Sequence, residues 1–188
     1  MIEVEIKAAL KEKEELTAKM LELGFVKGDL LKETDVYFDS PHHKMKENDT
    51  ALRIRSCENL TQGTKVCYMT YKGPKMDKIS ISRKEVEMEI ESVETGTEIF
   101  TSLGFFTVPA VIKHRQWLHL DNVTACLDSV EDLGDFLELE MVIEDASEKE
   151  AALNDLIALL EKLGYGREDL LQTSYLSMLQ KKRFGDNA

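Results

Sequence analysis

Cysteine, proline and tryptophan are scarce in this chain of 188 residues, with 3 Cys, 3 Pro and 1 Trp. Cys57, Cys67 and Cys126 are odd in number and lack metal-site spacing, so they read as reduced core thiols in a cytoplasmic protein. Low proline beside 43% hydrophobic residues describes a folded globular chain. No apolar run approaches the roughly 18 residues that a membrane helix needs, and the opening residues lack a signal-peptide pattern. No membrane partner is therefore expected. Basic residues are outnumbered, 24 against 36 acidic ones, for a formal net charge of −12. Phosphate backbones select basic faces, so no nucleic acid is expected as a main partner. A local basic pocket for a small phosphorylated ligand stays open. The length suits a single domain over residues 1–188 with a sizeable core.

The chain is rich in short strands whose charges segregate. Side chains alternate between the two faces of a strand. In Ile2–Lys7, Glu3, Glu5 and Lys7 share one face, and Ile2, Val4 and Ile6 the other. Taken alone, this is either an edge strand with a wet charged face or a cation site beside an anion site. Asp35–Asp39 is a short strand, and Ala51–Arg55 repeats the opening pattern with the sign reversed, Arg53 and Arg55 sharing a face. Val66–Lys72 is another strand, and the Gly73-Pro74 break after it predicts a mobile loop from Lys75 to Ser80. In Arg83–Ile90, Arg83, Glu85, Glu87 and Glu89 oppose Val86, Met88 and Ile90. Ala110–Leu120 sets Lys113, Arg115, Trp117 and His119 on one face. Thr124–Val130 carries Asp128 beside Cys126 and Thr124, and Phe136–Met141 carries Glu138 and Glu140 opposite Leu137, Leu139 and Met141.

Helices are expected between these strands. Ala8–Leu23, with Leu10, Met20 and Leu21 on one side, ends at Gly24. Ser92 caps a second helix running to Leu103. Ser147 with Glu150 forms a capping box for a third, whose stripe is Leu153, Leu156, Ile157, Leu160 and Leu163. A fourth runs from Arg167 to Lys182 with Leu170, Leu171, Tyr175, Met178 and Leu179. Three times an E-x-E strand is followed by a helix that ends in Leu-Gly-aromatic, at Leu23-Gly24-Phe25, Leu103-Gly104-Phe105 and Leu163-Gly164-Tyr165. His42 and His43, adjacent in the loop Ser40–Thr50, read as exposed rather than as ligands of one metal.

Same-sign pairs within a strand repel unless something sits between them. The pattern is accounted for by an α+β fold: a closed or nearly closed antiparallel β-barrel, with a charged interior and helices packed outside. The inward candidates are the bases Lys7, Arg53, Arg55, Lys72, Arg83, Lys113 and Arg115, and the acids Glu3, Glu5, Glu85, Glu87, Glu89, Asp128, Glu138 and Glu140. Enclosing so many charges is costly unless each is paired or bound to a ligand. Clustered carboxylates suit a hard divalent cation, and clustered Arg and Lys suit phosphate. Together they imply a metal-bound polyphosphate. The ordinary alternative is a sheet-and-helix domain with a solvated charged face.

The residues also resemble a known family. Glu3-Val4-Glu5-Ile6-Lys7 resembles the E-x-E-x-K signature of the CYTH superfamily, the triphosphate tunnel metalloenzymes. Arg53-Ile54-Arg55, Tyr71-Lys72-Gly73-Pro74, Arg83 with Glu85 and Glu87, Lys113 with Arg115, Asp128, and Glu138 with Glu140 resemble its later strands in order. Thr70–Lys75, and Cys126–Val130 leading to Leu133–Glu138, resemble class IV adenylyl cyclase-like proteins most closely. The resemblance implies Mg²⁺ or Mn²⁺ on Glu3, Glu5, Glu138 and Glu140, with Glu85 and Glu87 as further candidates. It implies triphosphate binding by Arg53, Arg55, Lys72, Arg83, Lys113 and Arg115, with catalytic roles for Lys7, Lys113 and Asp128. The substrate class it implies is a small-molecule triphosphate: ATP for a cyclase, or tripolyphosphate or thiamine triphosphate for a triphosphatase. A homodimer is implied on the same ground. A non-catalytic polyphosphate- or nucleotide-binding module is the remaining reading. Trp117 and Phe136, on the inward parity, are candidates for stacking on a base.

Overall fold

The alternation written in the sequence is realised as eight strands of one antiparallel sheet. The computed structural model describes residues 2–75 and 83–185. The loop expected beyond Lys75 lies outside the described residues, as does the side chain of Arg83. In chain order the elements are β1 (Ile2–Ala9), α1 (Lys13–Glu22), β2 (Val26–Asp39), β3 (Ala51–Asn59), β4 (Thr64–Lys75) and β5 (Arg83–Ile90). They continue with α2 (Val93–Ser102), β6 (Phe106–Leu120), β7 (Val123–Val130), β8 (Gly134–Ile143), α3 (Lys149–Lys162) and α4 (Tyr175–Phe184). The strand order is β1-β8-β7-β6-β2-β3-β4-β5. The two edge strands, β1 and β5, come into contact without pairing among the described residues, so the sheet curls into a nearly closed barrel.

The aliphatic faces point outward under helices. Val4, Ile6, Leu118, Ala125, Leu127, Leu137 and Leu139 are buried beneath α1 and α3. Phe38, Leu52 and Ile54 are buried beneath Phe100 of α2. Gly96 sits where α2 meets β3, and a Cβ there would stand 2.6 Å from Ile54 Cδ1, so any larger residue requires the Ile54 side chain to shift. Helix α4 lies differently: its Tyr175 and Leu179 pack with Val111, Val130 and Phe136, and Tyr175, Leu176, Ser177 and Gln180 line the cavity.

The threefold Leu-Gly-aromatic repeat has one structural meaning. Gly24, Gly104 and Gly164 have φ of 98°, 90° and 96°. The amides of Phe25, Phe105 and Tyr165 donate to the carbonyls of Met20, Phe100 and Leu160, and each glycine amide donates one turn inside. This is the Schellman end, which satisfies the last carbonyls of α1, α2 and α3.

Several boundaries differ from expectation. Residues 8 and 9 continue β1, so α1 starts at Lys13 and buries Leu16 with Met20, while Leu21 faces solvent. Strand β2 has 14 residues instead of the short segment from Asp35, because it pairs on both sides, with β3 and with β6. The expected Ser147 cap is replaced by Asp145, which accepts from the Ser147 amide at the start of a short 3₁₀ turn ahead of α3. The last helix begins at Tyr175 rather than Arg167. Leu170 instead bridges to Ala8, and the Leu171 amide donates to the Lys7 carbonyl at 2.8 Å, covering part of the outer edge of β1. Ser174 then caps α4.

Candidate active site

Inward parity on β1 to β6 and β8 gathers the charged side chains around one cavity of about 380 Å³. Glu3, Glu5, Lys7, Arg53, Arg55, Lys72, Glu85, Glu87, Lys113, Arg115, Glu138 and Glu140 all line it. Most of these charges are balanced by the strand register itself. Lys7 is directly opposite Glu138, Asp35 opposite Arg55, Glu33 opposite Lys113, Arg115 opposite Asp128, and Lys72 opposite Glu85.

Each register pair closes into contact. Lys7 Nζ lies 2.9 Å from Glu138 Oε1. Lys113 Nζ lies 3.1 Å from Glu33 Oε2 and 3.6 Å from Asp128 Oδ2. Arg55 donates from Nε and Nη2 to the two oxygens of Asp35, at 2.6 and 2.8 Å. Arg115 grips Asp128 in the same forked way, at 2.7 and 2.6 Å, and its Nη2 also donates to Glu138. Lys72 Nζ reaches Glu85 Oε1 at 2.5 Å. Burial opposes ionisation of Glu138, but Lys7, Arg115 and Lys113 outweigh it and hold that carboxyl well below the usual range. Burial is likewise outweighed at Glu33, which Lys113 and Arg55 pull down to about 2.

Two places in the ring are balanced only by long contacts: for the first, Lys7 Nζ lies 3.7 Å from Glu5 Oε1 and Arg115 Nη1 lies 3.8 Å from Glu140 Oε1. Glu5 and Glu140 are the one directly opposed pair of carboxylates in the ladders of the described residues. With Glu3 they offer carboxylate oxygens that all lie within 4.8 Å of one another. Burial first, then the neighbouring Glu138, pushes Glu5 up to about 8. Glu140 is pushed to about 7 by burial and by Glu3 and Glu138, against the pull of Arg115. A trio of mutually repelling carboxylates, Glu5 and Glu140 half-buried and Glu3 exposed at the cavity wall, fits a hard divalent cation. The second place is Arg53. It faces Tyr37 and Thr70 in register, its contacts to Asp35, Thr70 and Glu87 are long at 3.5, 3.4 and 3.9 Å, and its Nε is buried without a partner. An unsatisfied buried guanidinium fits an anion.

The sequence-derived candidates divide accordingly. Glu3, Glu5 and Glu140 come together, whereas Glu138 turns to Lys7 and Arg115. Asp128 is fully buried behind Arg115 and Lys113, off the cavity wall, where Oδ2 accepts from the Tyr175 hydroxyl at 2.9 Å. Glu89 is exposed and off the wall. Trp117 and Phe136 also do not line the cavity: Trp117 packs edge-on to His119, and Phe136 packs on Tyr175. His42 and His43 are exposed.

Three functional neighbours escaped the sequence reading. Glu33 and Asp35 continue an inward Glu-x-Asp-x-Tyr alternation on β2, a signal visible in the sequence once the strand is begun early enough. Tyr175 comes from a helix, where strand parity gives no signal. Its ring lies 4.1 Å from Lys7 Nζ and 5.3 Å from Lys113 Nζ.

The comparisons with known proteins agree with this geometry. A protein of Methanocaldococcus jannaschii that carries a provisional adenylate cyclase name is 38% identical over 178 residues, covering 95% of this chain and 98% of the relative. The adenylate cyclase CyaB of Aeromonas hydrophila is 25% identical over 149 residues, covering 79% of this chain and 73% of the relative. A solved structure of a Pyrococcus horikoshii OT3 protein superposes with a TM-score of 0.88 at 36% identity, covering 96% of this chain and 99% of that one. The family model of the CYTH domain matches residues 1–175. With its nearly closed, charge-lined barrel, the chain belongs to the CYTH domain family.

Proposed function

We propose that this protein is a metal-dependent enzyme acting on a triphosphate, and specifically an adenylyl cyclase of the class IV type that converts ATP to cyclic AMP and pyrophosphate. The observation that carries the reading is the pair of imbalances in one cavity: the opposed carboxylates Glu5 and Glu140 with Glu3, and the underpaired Arg53. A metal-bound triphosphate complements both. The names of the relatives support the cyclase within that class.

Glu3, Glu5 and Glu140 would hold Mg²⁺ or Mn²⁺, which supplies neutralisation of phosphate charge. Arg53 would take phosphate oxygens through its free Nε and its fork. Arg55, Lys113 and Arg115, oriented by Asp35, Glu33 and Asp128, would present their remaining N–H donors to the phosphate oxygens. Glu138 and Tyr175 hold Lys7 at the cavity wall. Asp128 acts through Arg115 and Lys113 and is a positioning residue. In the cyclase reaction the ribose 3′-oxygen bonds to the α-phosphorus, its proton leaves to water, and the bond to the β-bridging oxygen breaks to release pyrophosphate. Such transfer depends on alignment and charge stabilisation rather than on a covalent intermediate. Reduced Cys57, Cys67 and Cys126 support a cytoplasmic setting, and a homodimer belongs to the same proposal.

A second reading is hydrolysis of inorganic triphosphate, thiamine triphosphate or a nucleoside triphosphate. It is favoured by the charged ring itself, which complements a triphosphate whatever that triphosphate is attached to. The test is product identification. With Mg²⁺ or Mn²⁺, ATP, tripolyphosphate and thiamine triphosphate are incubated in parallel. Cyclic AMP with pyrophosphate supports the cyclase; orthophosphate without cyclic AMP replaces it by the triphosphatase; no turnover of any of them overturns both.

A further inference from the structure

Part of the cavity wall is neither acidic nor basic. Tyr37 lies directly opposite Val108 in the β2–β6 ladder and directly opposite Arg53 in the β2–β3 ladder. A register shift in β6 between the partners of Asp35 and Tyr37 lets Val108 face the cavity beside the charged residues further along that strand. Leu176 of α4 packs on the same apolar cluster as Tyr37. Gln180, one turn further along α4, also lines the cavity. Its half-buried side chain makes no hydrogen bond among the described residues. A bare polyphosphate offers nothing to an aromatic ring face and two aliphatic side chains, and it can use only the N–H side of a carboxamide.

We propose that Tyr37, Val108, Leu176 and Gln180 form the base subsite for a nucleoside triphosphate whose base is adenine. This rests on the triphosphate reading above. The apolar groups accept the faces of a flat heterocycle. The carboxamide presents one acceptor beside one donor, the complement of the amino group and ring nitrogen that adenine shows on one edge. Guanine shows two acceptors on that edge and is matched poorly by an amide. Arg53, the register neighbour of Tyr37, links the subsite to the basic ring, so base and phosphates occupy one continuous cavity.

The test is equilibrium binding to the full chain in Mg²⁺, using α,β-methylene-ATP, its guanine counterpart and tripolyphosphate. The wild-type protein is expected to favour the adenine analogue over the guanine one by about ten-fold, the discrimination of one good two-point contact. Gln180→Leu is expected to abolish that preference by weakening the adenine analogue about ten-fold, while tripolyphosphate affinity changes less than about two-fold. Equal affinity for the two purine analogues in the wild-type protein, which needs no variant to fold, overturns the base assignment. So does a preference that survives in Gln180→Leu. In both cases continued tripolyphosphate binding leaves the triphosphate reading standing. Loss of tripolyphosphate binding in the wild-type protein overturns that reading and the subsite with it.

Discussion

Glu5 and Glu140 face each other across the β1–β8 ladder, two carboxylates where the next position on the same face sets Lys7 against Glu138. Directly opposed like charges destabilise a sheet, and these two are drawn into the barrel. The sheet therefore carries a local defect that a divalent cation relieves. Replacing Glu140 with Gln is expected to raise the melting temperature of the metal-free protein at pH 8 and to remove most of the further rise that Mg²⁺ gives the wild-type chain. Thermal melts with chelator and with Mg²⁺ check both effects; a variant that still gains as much from Mg²⁺ contradicts the assignment.

The same defect sets a pH dependence. Glu5 at about 8 and Glu140 at about 7 hold protons in the folded state that the unfolded chain releases near 4.5. Stability of the metal-free protein is expected to fall as pH rises from about 4.5 through 8. Glu33, lowered to about 2, acts in the opposite sense: its contribution is present above 4.5 and is lost as pH falls toward 2. Melting temperature against pH should therefore peak on the acid side of neutrality, and saturating Mg²⁺ should flatten the decline above the peak by replacing the protons.

Asp35 is expected to be a buttress for the cation ring. It is 2% exposed and takes both arms of Arg55. Asp35→Asn replaces a charged fork by one neutral acceptor while Glu33 still pairs with Arg55 at 2.9 Å, so the expected loss is about 1.5–3 kcal/mol, the worth of a hydrogen bond to a charged group. Urea unfolding measures the loss, and an unchanged midpoint would show that the pair contributes little.

Arg53 and Arg55 should separate by their effects. Removing Arg55 takes both close donors from buried Asp35 and leaves it the 3.5 Å contact to Arg53, while Glu33 keeps Lys113, a loss of about 3 kcal/mol. Removing Arg53 breaks only long contacts and should cost less than about 1.5 kcal/mol. Arg53→Ala should nonetheless weaken tripolyphosphate binding by about ten-fold or more, the worth of a charge-assisted hydrogen bond. Urea unfolding and calorimetric titration on the two variants read the split.

Tyr175 holds Asp128 through its hydroxyl while its ring lies against Lys7 and Lys113. Tyr175→Phe keeps the ring and leaves a buried acceptor one donor short, a loss of about 1–3 kcal/mol. Urea unfolding should detect it, with the Michaelis constant for the triphosphate changed less than the turnover number, because Asp128 acts on the substrate through Arg115 and Lys113.

Much of the barrel is legible in the sequence because a strand's parity is local: Glu3, Arg53, Lys113 and Glu140 declare their face within a few residues. The register is not local. That Lys7 meets Glu138, and that Glu5 meets Glu140 instead, depends on pairing strands at opposite ends of the chain. Sequence parity therefore groups Glu138 with the metal candidates, and only the register shows it engaged by Lys7 and Arg115. The start of β2 is hidden because Lys27, Gly28 and Asp29 interrupt its apolar alternation, which concealed Glu33 and began the strand late. Tyr175 is hidden for a different reason. The apolar spacing of Leu170, Leu171 and Tyr175 fits a helix, but Leu170 and Leu171 are drawn to the open edge of β1 instead.

The most direct test of the central claim is calorimetric titration of tripolyphosphate into the full chain, with and without Mg²⁺, for the wild-type protein and for Arg53→Ala. Saturable binding that requires Mg²⁺ and is weakened by Arg53→Ala is the predicted result. No binding, or binding indifferent to both Mg²⁺ and Arg53, would contradict the account.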